Sequence, residues 1–226
     1  MPLRETARPN CPPEGPAILA AIAMRHGATA HIIDLNGYRI KDDLATKRSL
    51  PNGRHLSYQE AEAIIVQHLL NAGDQDMIAF SGKITTLRWQ EEIAKIIRKH
   101  QPDCFLATGN GLATEIKTGL FEWIPELDAV GRSEGDDIIL LMLHDAKIIK
   151  EMGISRAIKS NKLSPYHIGE LNGKNRFQYE GDRPKNLDNI PYPAWELFKS
   201  DPYGHNLLED YINVPVWGLG ANNSSA

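Results

Sequence analysis

The chain has little of what marks several large classes of protein. No apolar run approaches the roughly 20 residues that a membrane-spanning helix needs. The first 16 residues carry two arginines but no apolar segment, which predicts no signal peptide. There are only two cysteines, Cys11 and Cys104, and they form no C-x-x-C pair, so we expect two unpaired thiols in a reducing cytoplasm. A net charge of -4 gives no reason to expect a nucleic-acid partner.

Several catalytic motifs are also lacking. The sequence contains neither the G-x-S-x-G elbow of serine hydrolases nor the G-x-x-x-x-G-K-[ST] loop of nucleotide-binding proteins. A dinucleotide-binding G-x-G-x-x-G is not completed, because Gly109-Asn110-Gly111 continues to Thr114 instead of a glycine. The eight histidines show no H-x-x-x-H or H-E-x-x-H spacing, so we predict solvated or partly packed histidines and no metal site.

What the sequence does contain is an alternation of helical and strand patterns. Ser57 and Glu60 have the spacing of a capping box, and apolar residues recur behind them at helical intervals. Strict alternation predicts an α/β fold, a doubly wound, flavodoxin-like parallel sheet with helices on both faces. The predicted helices cover residues 17–25, 57–72, 87–100, 113–123 and 136–144, and the predicted strands cover residues 29–35, 76–81, 103–108 and 127–130.

The pattern changes near residue 150. We predict one α/β domain over residues 1–150 and a linker or the entry to a second domain over residues 151–226, where Gly, Pro, Asn and Tyr replace the periodicity. Within this tail, residues 176–180 could be half of a strand pair. The first domain opens on a proline-rich loop, so its first strand is either missing or a poor remnant in residues 1–8. Residues 37–54 are predicted to be a loop, and the last residues a frayed end or a cut point.

The candidate ligand site lies in three predicted loops at the ends of predicted strands, at residues 81–82, 108–111 and 131–135. Open parallel sheets bind ligands outside the carboxyl ends of their strands. Glycines let a ligand approach the backbone, and small hydroxyls can donate to it without filling the cleft. The alternative is that each glycine only completes a turn. The predicted cofactor-binding residues are Ser81, Gly82, Thr108, Gly109, Asn110, Gly111, Gly131, Ser133 and Glu134.

Six segments, taken in order, resemble one known family, and the strongest are the GRSEGD turn at residues 131–136 and the linker IPYPAW at residues 190–195. The others are PPEGPAILAA at residues 12–21, GATAHIID at 27–34, FSG at 80–82 and the loop from Pro102 to Gly111. That family is the cobalamin-binding radical-SAM proteins. The match runs from about residue 12 to residue 198.

The resemblance implies a cobalamin cradled over the carboxyl edge of the sheet, with its nucleotide tail near Ser81 and the 108–111 loop. It also implies a radical-SAM barrel as a further domain or partner. The C-x-x-x-C-x-x-C loop that would bind a [4Fe–4S] cluster and S-adenosylmethionine is absent here, so we expect a chain truncated before it. The family's D-x-H-x-x-G loop is absent too, so cobalt would lack a protein histidine.

Two other functions stay open at this point. One is a vestigial domain that docks onto a partner or barrel without a cofactor. The other is a stand-alone flavodoxin-like enzyme acting on a nucleotide or sugar, with Glu134 or Asp34 as its catalytic acid. Whether the chain belongs to an enzyme is left open, since radical chemistry would need residues that it does not contain.

Overall fold

The fold is built around a five-stranded, mostly parallel sheet. A computed structural model describes residues 12–38, 56–199 and 201–212. The strands are β1 (Met77–Ser81), β2 (Phe105–Gly109), β3 (Ala129–Ser133), β4 (His167–Leu171) and β5 (Lys174–Gly181). Their order across the sheet is β1-β2-β3-β5-β4, and only β4 runs antiparallel to its neighbour. The predicted α/β class is therefore confirmed.

Helices flank the sheet. Within the described ranges they are α1 (Glu14–Arg25), α2 (Tyr58–Ala72), α3 (Leu87–His100), α4 (Gly111–Ile116), α5 (Leu120–Trp123), α6 (Gly135–Met152), α7 (Ile154–Lys159) and α8 (Leu207–Ile212). Short 3₁₀ turns cover Ile84–Thr86, Lys117–Gly119, Leu187–Asn189 and Trp195–Phe198.

Local sequence signals explain where several helices begin and end. The capping box forms at α2, where the Glu60 N–H donates to Ser57 Oγ at 3.2 Å and the Ser57 N–H donates to Glu60 Oε2 at 2.8 Å. The helix predicted over residues 113–123 is divided into α4 and α5. Lys117 stands between them at φ 58°, a left-handed conformation that interrupts the helical hydrogen bonds.

The core forms two layers, one on each face of the sheet. Successive strand residues point to opposite faces, so Leu106 and Val130 pack with α2 and α3, whereas Phe105, Ala107 and Phe177 pack with α6. All five are buried. The chain thus buries both faces of its central strands, as a parallel sheet requires.

The third strand extends further than predicted. Residues 127–130 were expected to be the strand and residues 131–135 a loop, but β3 continues to Ser133. It is held by parallel pairing with β5, in the register Gly131↔Tyr179 and Ser133↔Gly181. The partner strand β5 lies beyond residue 150 and forms a hairpin with β4. Residues 176–180 therefore belong to a strand pair, as predicted. The sheet therefore continues past residue 150.

The strand predicted over residues 29–35 is not formed. Residues 28–34 have no regular secondary structure and residues 35–38 form a helical turn. Ile33 and Leu35 are only partly buried, packed against the same helix layer as Ile78 and Phe80 of β1. β-branched residues suit any half-buried extended chain, so the pattern predicted burial but not pairing.

The predictions for residues 1–8, for most of the 37–54 loop and for the end of the chain lie outside the described residues. Cys104 is described and is buried as a free thiol, and burial raises its pKa to about 11. Among the helices of the described ranges, none has the length and apolar character to cross a membrane.

Candidate functional site at the carboxyl edge of the sheet

Three neighbouring parallel strands end at the same edge of the sheet and are joined there by polar side chains. β1 and β2 pair in the register Ser81↔Gly109. Asn110 Nδ2 donates to Ser81 Oγ at 2.9 Å, which links the first two strand ends. Thr114 Oγ1 accepts from the Ser133 N–H at 3.0 Å, and Thr114 N donates back to the Asn110 carbonyl at 3.1 Å. We call Ser81, Asn110, Thr114 and Ser133 the edge network.

Asn110 holds an unusual backbone conformation at the centre of the edge network. Its φ of 80° and ψ of -177° lie in a region that almost only glycine adopts. Such a residue costs on the order of 1–3 kcal/mol, and strain of this kind concentrates at ligand sites. Its side-chain oxygen accepts from the Gly111 N–H at 2.6 Å, which fixes the turn into α4. Ser133, at φ 60°, is a second left-handed residue at the same edge.

The two glycines beside Asn110 are open to a ligand. A Cβ added at Gly109 would meet nothing closer than the Gly131 carbonyl at 3.8 Å, and one added at Gly111 would meet nothing within 4 Å. Packing does not explain these glycines, and neither has a positive φ. Both therefore leave open space beside the backbone at this edge of the sheet.

Two of the predicted cofactor-binding residues, Thr108 and Gly82, make contacts inside the protein. Thr108 is 2% exposed, and its hydroxyl donates to the Phe80 carbonyl at 3.0 Å and lies 3.4 Å from Gln90 Oε1. Gly82 is buried against the same Gln90 side chain, which a Cβ would overlap. The missing Cβ of Gly82 thus makes room for Gln90, and the Thr108 hydroxyl already has protein partners.

Gly131 also has a packing role. A Cβ there would come within 2.7 Å of Met142 Cε and 3.1 Å of Ile138 Cδ1, both on α6. Because the residue is buried within β3, it does not form part of the predicted loop. Of the nine predicted residues, the ones at the accessible edge are Ser81, Gly109, Asn110, Gly111, Ser133 and Glu134.

The charges beside β3 favour some ligands over others. Arg132 Nη2 pairs with Glu180 Oε1 at 3.3 Å, so this cation of β3 is already neutralised. Burial, together with the neighbouring Glu134 and Asp137 carboxylates, raises the pKa of Asp136 in the first turn of α6. Acidic groups at this helix end disfavour a multiply charged phosphate and suit a neutral polar ligand.

The two carboxylates considered as catalytic acids lie in different settings. Glu134 is exposed at the start of α6. Asp34 is 5% exposed and accepts hydrogen bonds from Tyr211 Oη at 2.5 Å and from the Asn36 N–H at 3.0 Å. Among the described residues, no group of three or more His, Cys, Asp or Glu side chains is placed to hold a metal ion.

Sequence reasoning missed Thr114 and Gln90. Thr114 stood out only as the residue that breaks a glycine motif, yet it connects β2 to β3. Its position four residues after Asn110 was a signal, because that spacing places both on one face of a helix. Gln90 gave no signal, since its contacts depend on how α3 crosses the sheet.

The comparisons with known proteins add no relative. No protein-family model, no curated protein sequence and no solved structure matches this chain.

Proposed function

We propose that this chain is a cobalamin-binding domain of a radical-SAM protein and that it holds the cofactor across the carboxyl edge of its sheet. The proposal rests on the sequence resemblance and on one structural observation, the edge network with the strained Asn110 at its centre. In α/β sheets this edge is the usual ligand position.

The exposed groups fit a large neutral ligand that is rich in amides. Ser81 and Asn110 offer a hydroxyl and an amide, and Gly109 and Gly111 leave room above the backbone. The corrin ring of cobalamin carries many amide side chains that pair with such groups. Once bound, the cofactor supplies organometallic cobalt chemistry.

In this proposal the residues of the chain bind and orient the cofactor and take no part in bond breaking. Segments 81–83, 108–114 and 131–137 contain no histidine, so cobalt would receive no imidazole from this edge. The single phosphate of the nucleotide tail would lie near the Ser81 hydroxyl, away from the acidic start of α6. The radical-SAM partner would supply the iron–sulfur cluster, S-adenosylmethionine and the substrate site.

The test is retention of hydroxocobalamin by the purified chain during gel filtration, followed by its visible spectrum. We expect cobalamin to elute with the protein, and we expect Ser81→Ala and Asn110→Ala each to weaken binding by roughly five- to tenfold. Asn172→Gly is the matched control, because Asn172 also has a positive φ, 53°, but lies in the β4–β5 turn, directly after the end of β4. Cobalamin that elutes apart from the wild-type protein would remove the proposal.

Docking onto a protein partner is a second candidate, favoured by two exposed apolar side chains. Leu187 is 71% exposed and Tyr192 is 92% exposed, both in the segment that follows β5. Large exposed apolar groups on one segment suit a protein contact. If docking is the whole function, cross-linking would capture a stable complex with the radical-SAM partner, Leu187→Ser with Tyr192→Ser would abolish it, and no cobalamin would be retained.

A further inference from the structure

Residues 201–211 are attached to the domain by two reciprocal carboxylate–tyrosine pairs. Tyr211 Oη donates to Asp34 Oδ2 at 2.5 Å, and Tyr38 Oη donates to Asp201 Oδ2. Residues 34–38 and residues 201–211 thus each contribute one carboxylate and one tyrosine, and all four side chains are buried. We call residues 201–211 the strap.

Side chains make the connections between the strap and the helices beside it. The backbone of the strap bonds within itself, as where the Asp201 N–H donates to the His205 carbonyl at 3.0 Å. Among the described residues, no backbone hydrogen bond joins the strap to residues 12–38 or to α2. Proteins open locally without global unfolding, and a short element that side-chain contacts attach is a candidate for such opening.

Leu207 of the strap fills an apolar depression. It packs against Tyr38 and Ile64, and a Cβ added at Gly37 would come within 3.1 Å of the Leu207 methyl groups. His68 is on the same helix as Ile64, and burial lowers its pKa to about 4, so it is neutral at physiological pH. Removing the strap would leave a partly aromatic depression beside the Asp34 carboxylate.

Asp34 is preorganised to accept a hydroxyl group. The Asn36 N–H already donates to Oδ1 at 3.0 Å, and the Tyr211 hydroxyl occupies Oδ2. In dinucleotide-binding α/β proteins an acidic side chain accepts a hydrogen bond from a ribose hydroxyl, and the Asp34 carboxylate offers the same kind of acceptor. The phenol of Tyr211 has the same hydrogen-bond donor as a sugar hydroxyl, with an aromatic ring behind it.

We propose that the strap is a releasable internal ligand, and that a nucleoside replaces it, with a ribose hydroxyl on Asp34 and the base in the depression left by Leu207. This site uses none of the residues of the edge network, so the proposal does not depend on whether cobalamin binds.

Amide hydrogen exchange of the full chain, with adenosine and dideoxyadenosine as probes, tests the proposal. We expect adenosine to speed exchange in residues 201–212. We expect 2′,3′-dideoxyadenosine, which lacks the 2′ and 3′ hydroxyls and keeps the 5′ hydroxyl, to have little effect. Tyr211→Phe removes the competing hydroxyl, so it should release the strap and bind adenosine about tenfold more tightly than wild type. Asp34→Asn should lose the difference between the two nucleosides.

Tyr211→Phe keeps the test decisive if Asp34→Asn fails to fold, because the phenylalanine ring preserves the packing. Adenosine that leaves exchange in residues 201–212 unchanged in both wild type and Tyr211→Phe would overturn the proposal. So would equal binding of the two nucleosides. Cobalamin retention, measured on the same samples, is expected to be unaffected by Tyr211→Phe, which separates this result from that of the proposed function.

Discussion

Asn110 allows a sharp test of backbone strain at the ligand edge. At φ 80° and ψ -177°, any residue with a Cβ pays about 1–3 kcal/mol that glycine does not. Glycine loses about 0.5–1 kcal/mol more chain entropy on folding than alanine does. Both replacements lose the same hydrogen bonds, to Ser81 and to the Gly111 N–H. We therefore expect Asn110→Gly to be more stable than Asn110→Ala by about 1 kcal/mol.

The order should reverse at an ordinary helical position. Ala63 is exposed in the middle of α2, so Ala63→Gly should lower stability by about 1 kcal/mol relative to the wild-type alanine. Urea unfolding of the wild type, Ala63→Gly, Asn110→Gly and Asn110→Ala measures both alanine–glycine differences under the same conditions. If alanine is the more stable residue at both sites, the strain assigned to Asn110 does not exist in the folded protein.

Three further predictions concern stability. Arg98→Ala should lower the free energy of unfolding by about 3 kcal/mol in urea, because the Arg98 guanidinium donates to one carboxylate and three backbone carbonyls. Arg88 is exposed on the same helix, and Arg88→Ala should cost nearly nothing. Gly131→Ala should lower stability by about 1–2 kcal/mol, because the added methyl group overpacks against α6. Gly111 lies in a helix with open space around it, so Gly111→Ala should be neutral or slightly stabilising. Equal effects of the two substitutions would contradict the packing account. Burial lowers the folded-state pKa of His68 to about 4, so below about pH 6.5 the unfolded state binds more protons than the folded state. The free energy of unfolding should therefore fall from about pH 6.5 toward pH 4. His68→Gln should flatten that slope in pH-dependent melts.

Local signals in the sequence predicted several elements closely. The helix predicted over residues 87–100 is formed with those bounds, and the capping box places the start of α2 correctly. Both depend on contacts within a few residues along the chain, which a sequence displays directly. The α/β class followed from their alternation with apolar strand runs.

Long-range pairing explains what the sequence did not predict. β3 ends at Ser133 instead of residue 130 because β5, more than 40 residues away, pairs with it. Residues 29–35 have a strand composition but, among the described residues, no strand beside them. A pattern of apolar residues indicates which side chains are buried, whereas pairing depends on which backbone lies opposite.

At the candidate site, too, the sequence indicated some features, and others depend on the three-dimensional packing. Glycines at the strand ends pointed to the carboxyl edge, and Gly109 and Gly111 do lie open there. Composition could not separate them from Gly82 and Gly131, whose missing Cβ atoms make room for Gln90 and Met142. The distinction requires the position of a helix side chain in three dimensions.

Equilibrium dialysis of the wild-type chain against hydroxocobalamin tests the central claim most directly. The account predicts one cobalamin retained per chain, with weaker retention by both Asn110→Gly and Asn110→Ala although their stabilities differ, and unchanged retention by Asn172→Gly. No retained cobalamin, or equal retention by all four proteins, would contradict the claim that the carboxyl edge of this sheet is a cobalamin site.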